Sequence, residues 1–210
     1  MIEVGTFECK SGILTPTDPC YLDKTDLLSG NFNAKKGKWK AYIVQEENYG
    51  LCNSEILILH ESYQLPDILQ MKWAEGPSVD VDSGQAGFFD ADKKDNKGRA
   101  FFPNFEKFYD NCCHITLHGY NAGTLDCGAV TSSGGGDGGY ECFVGSLENQ
   151  TEFTAARIHF TAARIHFFRS ESAFMDLIRL QETKQKDLPL LVGQMNTPAG
   201  KQELEKRLKK

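Results

Sequence analysis

From Val4 to about Tyr140, apolar positions come in short runs separated by turn residues. "GILTPTDPCYL", "KWKAYIVQE", "SEILILHESY", "AGFFDAD", "CHITLHGY", "CGAVTSS" and "YECFVGS" are each alternating or apolar and bounded by Gly, Asp, Asn or Pro. Runs of about four to eight residues with a two-residue period predict half-buried strands. Many short strands at this spacing predict a mainly β fold, an antiparallel β-sandwich or open barrel. "ADKKDNKGR", Ala91 to Arg99, has no apolar face and reads as a charged loop.

Beyond Phe167 the period changes. "SESAFMDLIRLQETKQK" sets Phe174, Leu177, Ile178 and Gln181 at helical spacing behind a serine N-cap at 170 or 172. Pro189 ends that helix. A second helix is expected from Thr197, with Pro198 in its first turn and Leu204 and Leu208 on one face. The organisation is therefore a β-rich domain over residues 1–167 and a C-terminal helical extension over 168–210. The helices' apolar stripes are narrow, so this extension is expected to meet a protein partner or a second copy, and to dock the protein into a larger assembly.

Composition supports a globular chain. Of 210 residues, 40% are hydrophobic and 25% charged, and 20 glycines imply many tight turns. The net charge of −6 is uneven: from Phe168 onward nine basic residues stand against six acidic ones, leaving the preceding body at −9. An acidic body argues against nucleic acid as a partner. The longest apolar run, "ILIL", is too short to cross a membrane, and the acidic first residues do not read as a secretion signal. The expected location is cytoplasmic, and the seven cysteines, none in a C-x-x-C pair, are expected to be reduced.

Several stretches stand in a fixed order: "VGTFECKSG", "DPCYL", "GKWKAYIV", "VDSGQAGFFD", "FYDNCCHITL", "SSGGGDGGYECFVG" and "AARIHF". Over about residues 4–167 the chain resembles a mostly bacterial domain-of-unknown-function family that carries DPCY, VDSGQAG-x-FD and SSGxGDGxY motifs and ends near an A-x-RI-x-F strand. That family has no assigned activity, so the resemblance implies a cytoplasmic β-rich domain and transfers no catalytic residue.

Four stretches are candidates for chemistry on their own residues. "GGGDGG", Gly134 to Gly139, satisfies G-x-G-x-x-G but opens a strand, not a helix, so a glycine-rich turn is expected in place of a nucleotide loop. Asp137 within it still has access to a ligand. "DVDSGQAGFFDAD" gathers Asp80, Asp82 and Asp90 as oxygen donors for a hard cation, although the EF-hand spacing fails. Asp82, Ser83, Gln85, Asp90 and Asp137 form the expected ligand-binding set. "CCHITLH" offers Cys112, Cys113 and His114 for a Cys–His nucleophile or, if the stretch is a strand, a Cys112–His114 zinc edge with further ligands from Cys20, Cys127 or Cys142. "DPCY" reads as a turn at Asp18–Pro19 with a strand beginning at Cys20. No cofactor is specified. Two functions follow: a non-catalytic β-rich binding or interaction module, or a small hydrolase or transferase using the Cys–His pair or a carboxylate-bound metal.

"TAARIHF" is written twice, over Thr154 to Phe167. A seven-residue shift inverts a strand's two faces, so the two copies cannot continue one straight amphipathic strand. As a helix the word would stack Phe153, Ala156, Phe160, Ala163 and Phe167 along one seam. The expectation is one copy in the sheet and a bulge or loop leading through the other.

Overall fold

A computed structural model describes residues 1–23, 30–47, 50–90, 104–147 and 150–160. Among these, two antiparallel sheets pack face to face as a β-sandwich. The larger sheet runs β1 (Ile2–Cys9), β4 (Gly37–Glu47), β5 (Leu51–His60), β12 (Ala155–His159), β11 (Gly138–Ser146) and β6 (Lys72–Glu75), with β7 (Val79–Val81) also paired to β11. The smaller runs β3 (Phe32–Asn33), β2 (Ile13–Thr17), β8 (Gln85–Phe89), β10 (Gly128–Ser132) and β9 (Ala122–Leu125).

The core follows from alternation. Ile43, Ile56, Ile58, Ala156 and Ile158 face inward from the larger sheet onto Leu14, Phe88 and Ala129 of the smaller one, all with no exposed surface. The first copy of the repeated word is β12, between β5 and β11 at the centre of the larger sheet. Its Ala156, Ile158 and Phe160 enter the core, and Ala155, Arg157 and His159 take the opposite face, as period two requires. The second copy from Thr161, the two expected C-terminal helices and the loop at 91–99 lie outside the described residues.

Two sequence expectations are corrected. "CCHITL" is not a strand. Cys112, Cys113 and His114 belong to a helix, α1 (Phe105–Thr116), which Asn104 caps by accepting the Lys107 N–H at 3.2 Å. Phe105, Phe108, Cys112, Ile115 and Thr116 recur at the three-to-four spacing of a helix, and Phe108 and Cys112 pack on Leu22, Phe89 and Val130 over the outer face of the smaller sheet. The β-prone Cys-His-Ile-Thr end of this stretch is overridden by that stripe, which begins upstream. The DPCY segment does not start a strand either: Pro19–Tyr21 is a single 3-10 turn capped by Asp18.

Strand direction gathers one set of loops. β2 ends, β8 begins, β10 ends, β9 begins and β5 begins at the same end of the sandwich. The glycine-rich turn closes this end by close approach. A Cβ on Gly134 would stand 2.2 Å from the Asn53 carbonyl oxygen, while Gly136 (φ +84) and Gly138 (φ +148) occupy the left-handed region. Gly134→Ala is therefore expected to cost about 2 kcal/mol or more, read as a lowered urea midpoint, because the obstacle is backbone and cannot swing aside.

Candidate functional site

At the centre of the loop end is a carboxylate without exposed surface. Asp18 Oδ1 accepts the Cys20 N–H at 2.8 Å and the Ser83 hydroxyl at 2.7 Å, and Oδ2 accepts the N–H groups of Asp82 at 3.0 Å and Ser83 at 2.7 Å. Four donors on one buried carboxylate tie the DPCY turn to the VDSG loop, 64–65 residues apart in sequence. A buried charge is tolerated only when it is satisfied in this way. The exposed Asp82 then accepts the Tyr21 hydroxyl, and this neighbouring carboxylate pushes the phenol of Tyr21 up.

The loop is braced to α1 through Gln85. Its amide Nε2 lies 3.4 Å from the Cys113 sulfur and 3.5 Å from the Ser83 hydroxyl, while Oε1 accepts the Thr116 hydroxyl at 3.1 Å. Gln85 is 5% exposed, and all these partners are internal, so it braces the loop against α1. Tyr109, one turn before Cys113, hydrogen-bonds to both Ser83 and Cys113. The Ser83 bond pulls its phenol down, but burial and the Cys113 thiol outweigh it, and the phenol is raised overall.

The helix separates the residues of the expected Cys–His pair. Neighbouring helical side chains diverge by about 100°, and those two apart by about 200°. Cys112 points into the core, where burial pushes its thiol up, and Cys113 points to Gln85. His114 is exposed and stacks on His118, with ring centroids 4.3 Å apart. The sulfur of Cys113 thus meets the Gln85 amide and the Tyr109 hydroxyl, and His114 points away from it. With iodoacetamide near pH 7, Cys113 is expected to alkylate no faster than the half-buried Cys20 and Cys52, as read by peptide mass spectrometry. A Cys113 rate about tenfold above theirs would reinstate the nucleophile.

The carboxylates expected to hold a cation are likewise parted. Asp80 is exposed on β7, and Asp82 is exposed in the bend that follows it. Asp90 lies beyond the five residues of β8, about 16 Å along the strand, where its Oδ2 accepts the N–H groups of Lys10 at 2.6 Å and Ser11 at 3.2 Å. Asp90 therefore lies apart from Asp82, at the opposite end of β8. Among the described residues, no three His, Cys, Asp or Glu side chains form a group able to hold a metal ion. Asp137 does join the loop end: its Oδ1 accepts the Gly84 N–H at 3.0 Å, and Gly84 in turn accepts the Ser133 N–H at 2.9 Å. Three of the five expected ligand-binding residues, Asp82, Ser83 and Asp137, thus lie along one linked set of loops.

Two buried polar centres were not singled out from sequence. Asn53, 1% exposed, holds the turn after α1: its Nδ2 lies 3.0 Å from the Tyr120 carbonyl, 3.2 Å from that of Asn121 and 2.8 Å from the Thr131 hydroxyl. A register shift opposite Val44 and Gln45 turns Asn53 towards the smaller sheet, and side-chain alternation alone gives no sign of it. On the other face of the larger sheet, His159 Nδ1 lies 3.1 Å from Glu55 Oε2, and Arg157 stacks on Trp73 with 4.4 Å between the guanidinium and the ring centroid. Burial pushes the Glu55 carboxyl up to about 7 against the pull of Arg157. Burial, helped by Arg157, brings His159 down to about 4.

Comparison with family models, with curated proteins and with solved structures finds no match to this chain.

Proposed function

We propose that the chain is a non-catalytic binding module that presents the loop end of its sandwich to a cationic partner. One observation carries this reading: the buried Asp18 carboxylate locks the DPCY turn and the VDSG loop together while Asp82 and Asp137 remain exposed on the rim. Loops held so firmly meet a ligand without first paying the entropy of ordering themselves. Asp18 itself already accepts four hydrogen bonds and has no exposed surface, so it is a poor general base, and the diverging Cys112, Cys113 and His114 supply none. The resemblance over residues 4–167 to a family without assigned activity is compatible with this reading and adds no catalytic residue to it.

The test is a ¹H–¹⁵N titration of the full chain with the amidated tripeptide Gly-Arg-Gly. Shifts are expected at Asp82, Ser83, Gly84 and Asp137, and their loss in the double variant Asp82→Asn, Asp137→Asn. Shifts confined to other parts of the molecule, or none, would contradict the assignment of this surface.

A further inference from the structure

We propose that the same end of the sandwich carries an apolar docking patch, built from Leu51, Leu117 and Tyr120, for a basic, leucine-bearing amphipathic segment of a partner protein. The inference rests on reading the chain as a binding module, and it adds the anchor that the carboxylates alone lack.

The exposed large apolar side chains of the described residues are these three, at 60%, 75% and 41% exposure. Single exposed leucines are ordinary, but these are not scattered. Leu117 and Tyr120 belong to one turn, closed by the Asn121 N–H donating to the His118 carbonyl at 2.9 Å. Leu51 stands two residues before Asn53 on β5, on the same side of the strand and about 7 Å along it. Asn53 binds the Tyr120 carbonyl directly, and Gln45, across the ladder from Asn53, reaches both Asn53 Oδ1 at 3.0 Å and the Tyr120 carbonyl at 3.5 Å. The turn that displays Leu117 and Tyr120 is thus pinned from beneath by a buried amide. Rigidly held aromatic and aliphatic side chains at the centre of a contact supply most of its binding energy.

Charge selects the occupant. The described loop segments at this end, residues 18–23, 45–47, 50–53, 82–84, 117–121 and 132–137, contain no lysine or arginine. They contain Asp23, Glu46, Glu47, Asp82 and Asp137, besides the buried Asp18. Glu47 lies directly opposite Leu51 in the ladder. An apolar patch whose described loops carry carboxylates and no lysine or arginine fits a segment with leucines on one face and lysine or arginine on its flanks, and disfavours an acidic one.

The probe is a 14-residue amidated peptide with leucines at i, i+3, i+4, i+7 and i+11 and lysines elsewhere, set against a control with serine at the leucine positions. The leucine peptide is expected to bind the full chain at least about tenfold more tightly than the control and to shift Leu51, Leu117 and Tyr120 in ¹H–¹⁵N spectra. The double variant Leu117→Ser, Tyr120→Ser should erase that advantage, and Leu51→Ser should reduce it. All three side chains are exposed, so these variants are expected to keep the wild-type spectral dispersion. The inference is overturned if the leucine peptide binds no more tightly than the control, or if its advantage survives the double variant. It is also overturned if the chain self-associates in sedimentation and the double variant abolishes this, for then the patch is occupied by a second copy. Binding of both peptides through Asp82 and Asp137 without a leucine advantage would remove the patch and leave the binding module intact. A loop end that neither peptide perturbs would remove both.

Discussion

Asp18→Asn is expected to lower the folding stability by about 3 kcal/mol, the largest effect of any single substitution at the loop end. The carboxylate accepts four hydrogen bonds and donates none. A carboxamide keeps one acceptor oxygen and turns an NH2 group on the donors that faced the other, leaving either the two loop N–H groups or the Cys20 N–H against a donor, while the Ser83 hydroxyl can turn to accept. Asp82→Asn is the control. It sits at the exposed end of the same network, and its substitution should cost no more than about 0.5 kcal/mol. Urea unfolding followed by tryptophan fluorescence reads both, since Trp39 is fully buried in the core. A loss below about 1 kcal/mol for Asp18→Asn would mean that the carboxylate does not lock the loops.

The second large effect concerns Glu55 and His159. The folded state raises Glu55 from its ordinary 4.5 to about 7, so it binds a proton more readily when folded, and stability from this group falls as the pH rises from about 4.5 through 7. The folded state lowers His159 from 6.5 to about 4, so that stability from this group rises with pH between about 4 and 6.5. The two slopes oppose each other. The pair holds one proton through the middle of this range both folded and unfolded, and the wild-type contribution is nearly flat. His159→Gln removes one slope and exposes the other: stability is expected to fall by about 3 kcal/mol between pH 4.5 and 7. Glu55→Gln should give the reverse, a rise of similar size between pH 4 and 6.5. Chemical denaturation across that range checks both signs, and two parallel profiles for the variants would refute the assignment.

These expectations also show which parts of the molecule were legible in the sequence. The strands of "KWKAYIVQE", "SEILILHESY", "CGAVTSS" and "YECFVGS" were readable because alternation records burial one residue at a time. The first copy of the doubled word was readable as a strand for the same reason. Helix α1 was not, because Cys112 to Thr116 has strand-like propensity and the helical stripe that outweighs it starts at Phe105. Asp18 was readable as the start of a turn. Its central role was not, because two of its donors are backbone N–H groups of Asp82 and Ser83, and backbone groups leave no mark on side-chain pattern. Asn53 faces the smaller sheet only because the β4–β5 register slips beside it, a consequence of packing between sheets rather than of local sequence. Chemistry suggested by proximity in sequence, Cys113 beside His114 and Asp82 near Asp90, was dispersed by the helix and by β8. Asp18 and Ser83, far apart in sequence, were brought together.

Whether the loops around Asp18 form a fixed scaffold is tested most directly by amide hydrogen exchange of the full chain. If the carboxylate holds them, the Asp82 and Ser83 N–H groups will exchange as slowly as those of Ile56 and Ile58 in the centre of β5, opening only with global unfolding although they lie in a loop. Exchange of these two amides at the rate of an exposed turn, while β5 stays protected, would contradict it.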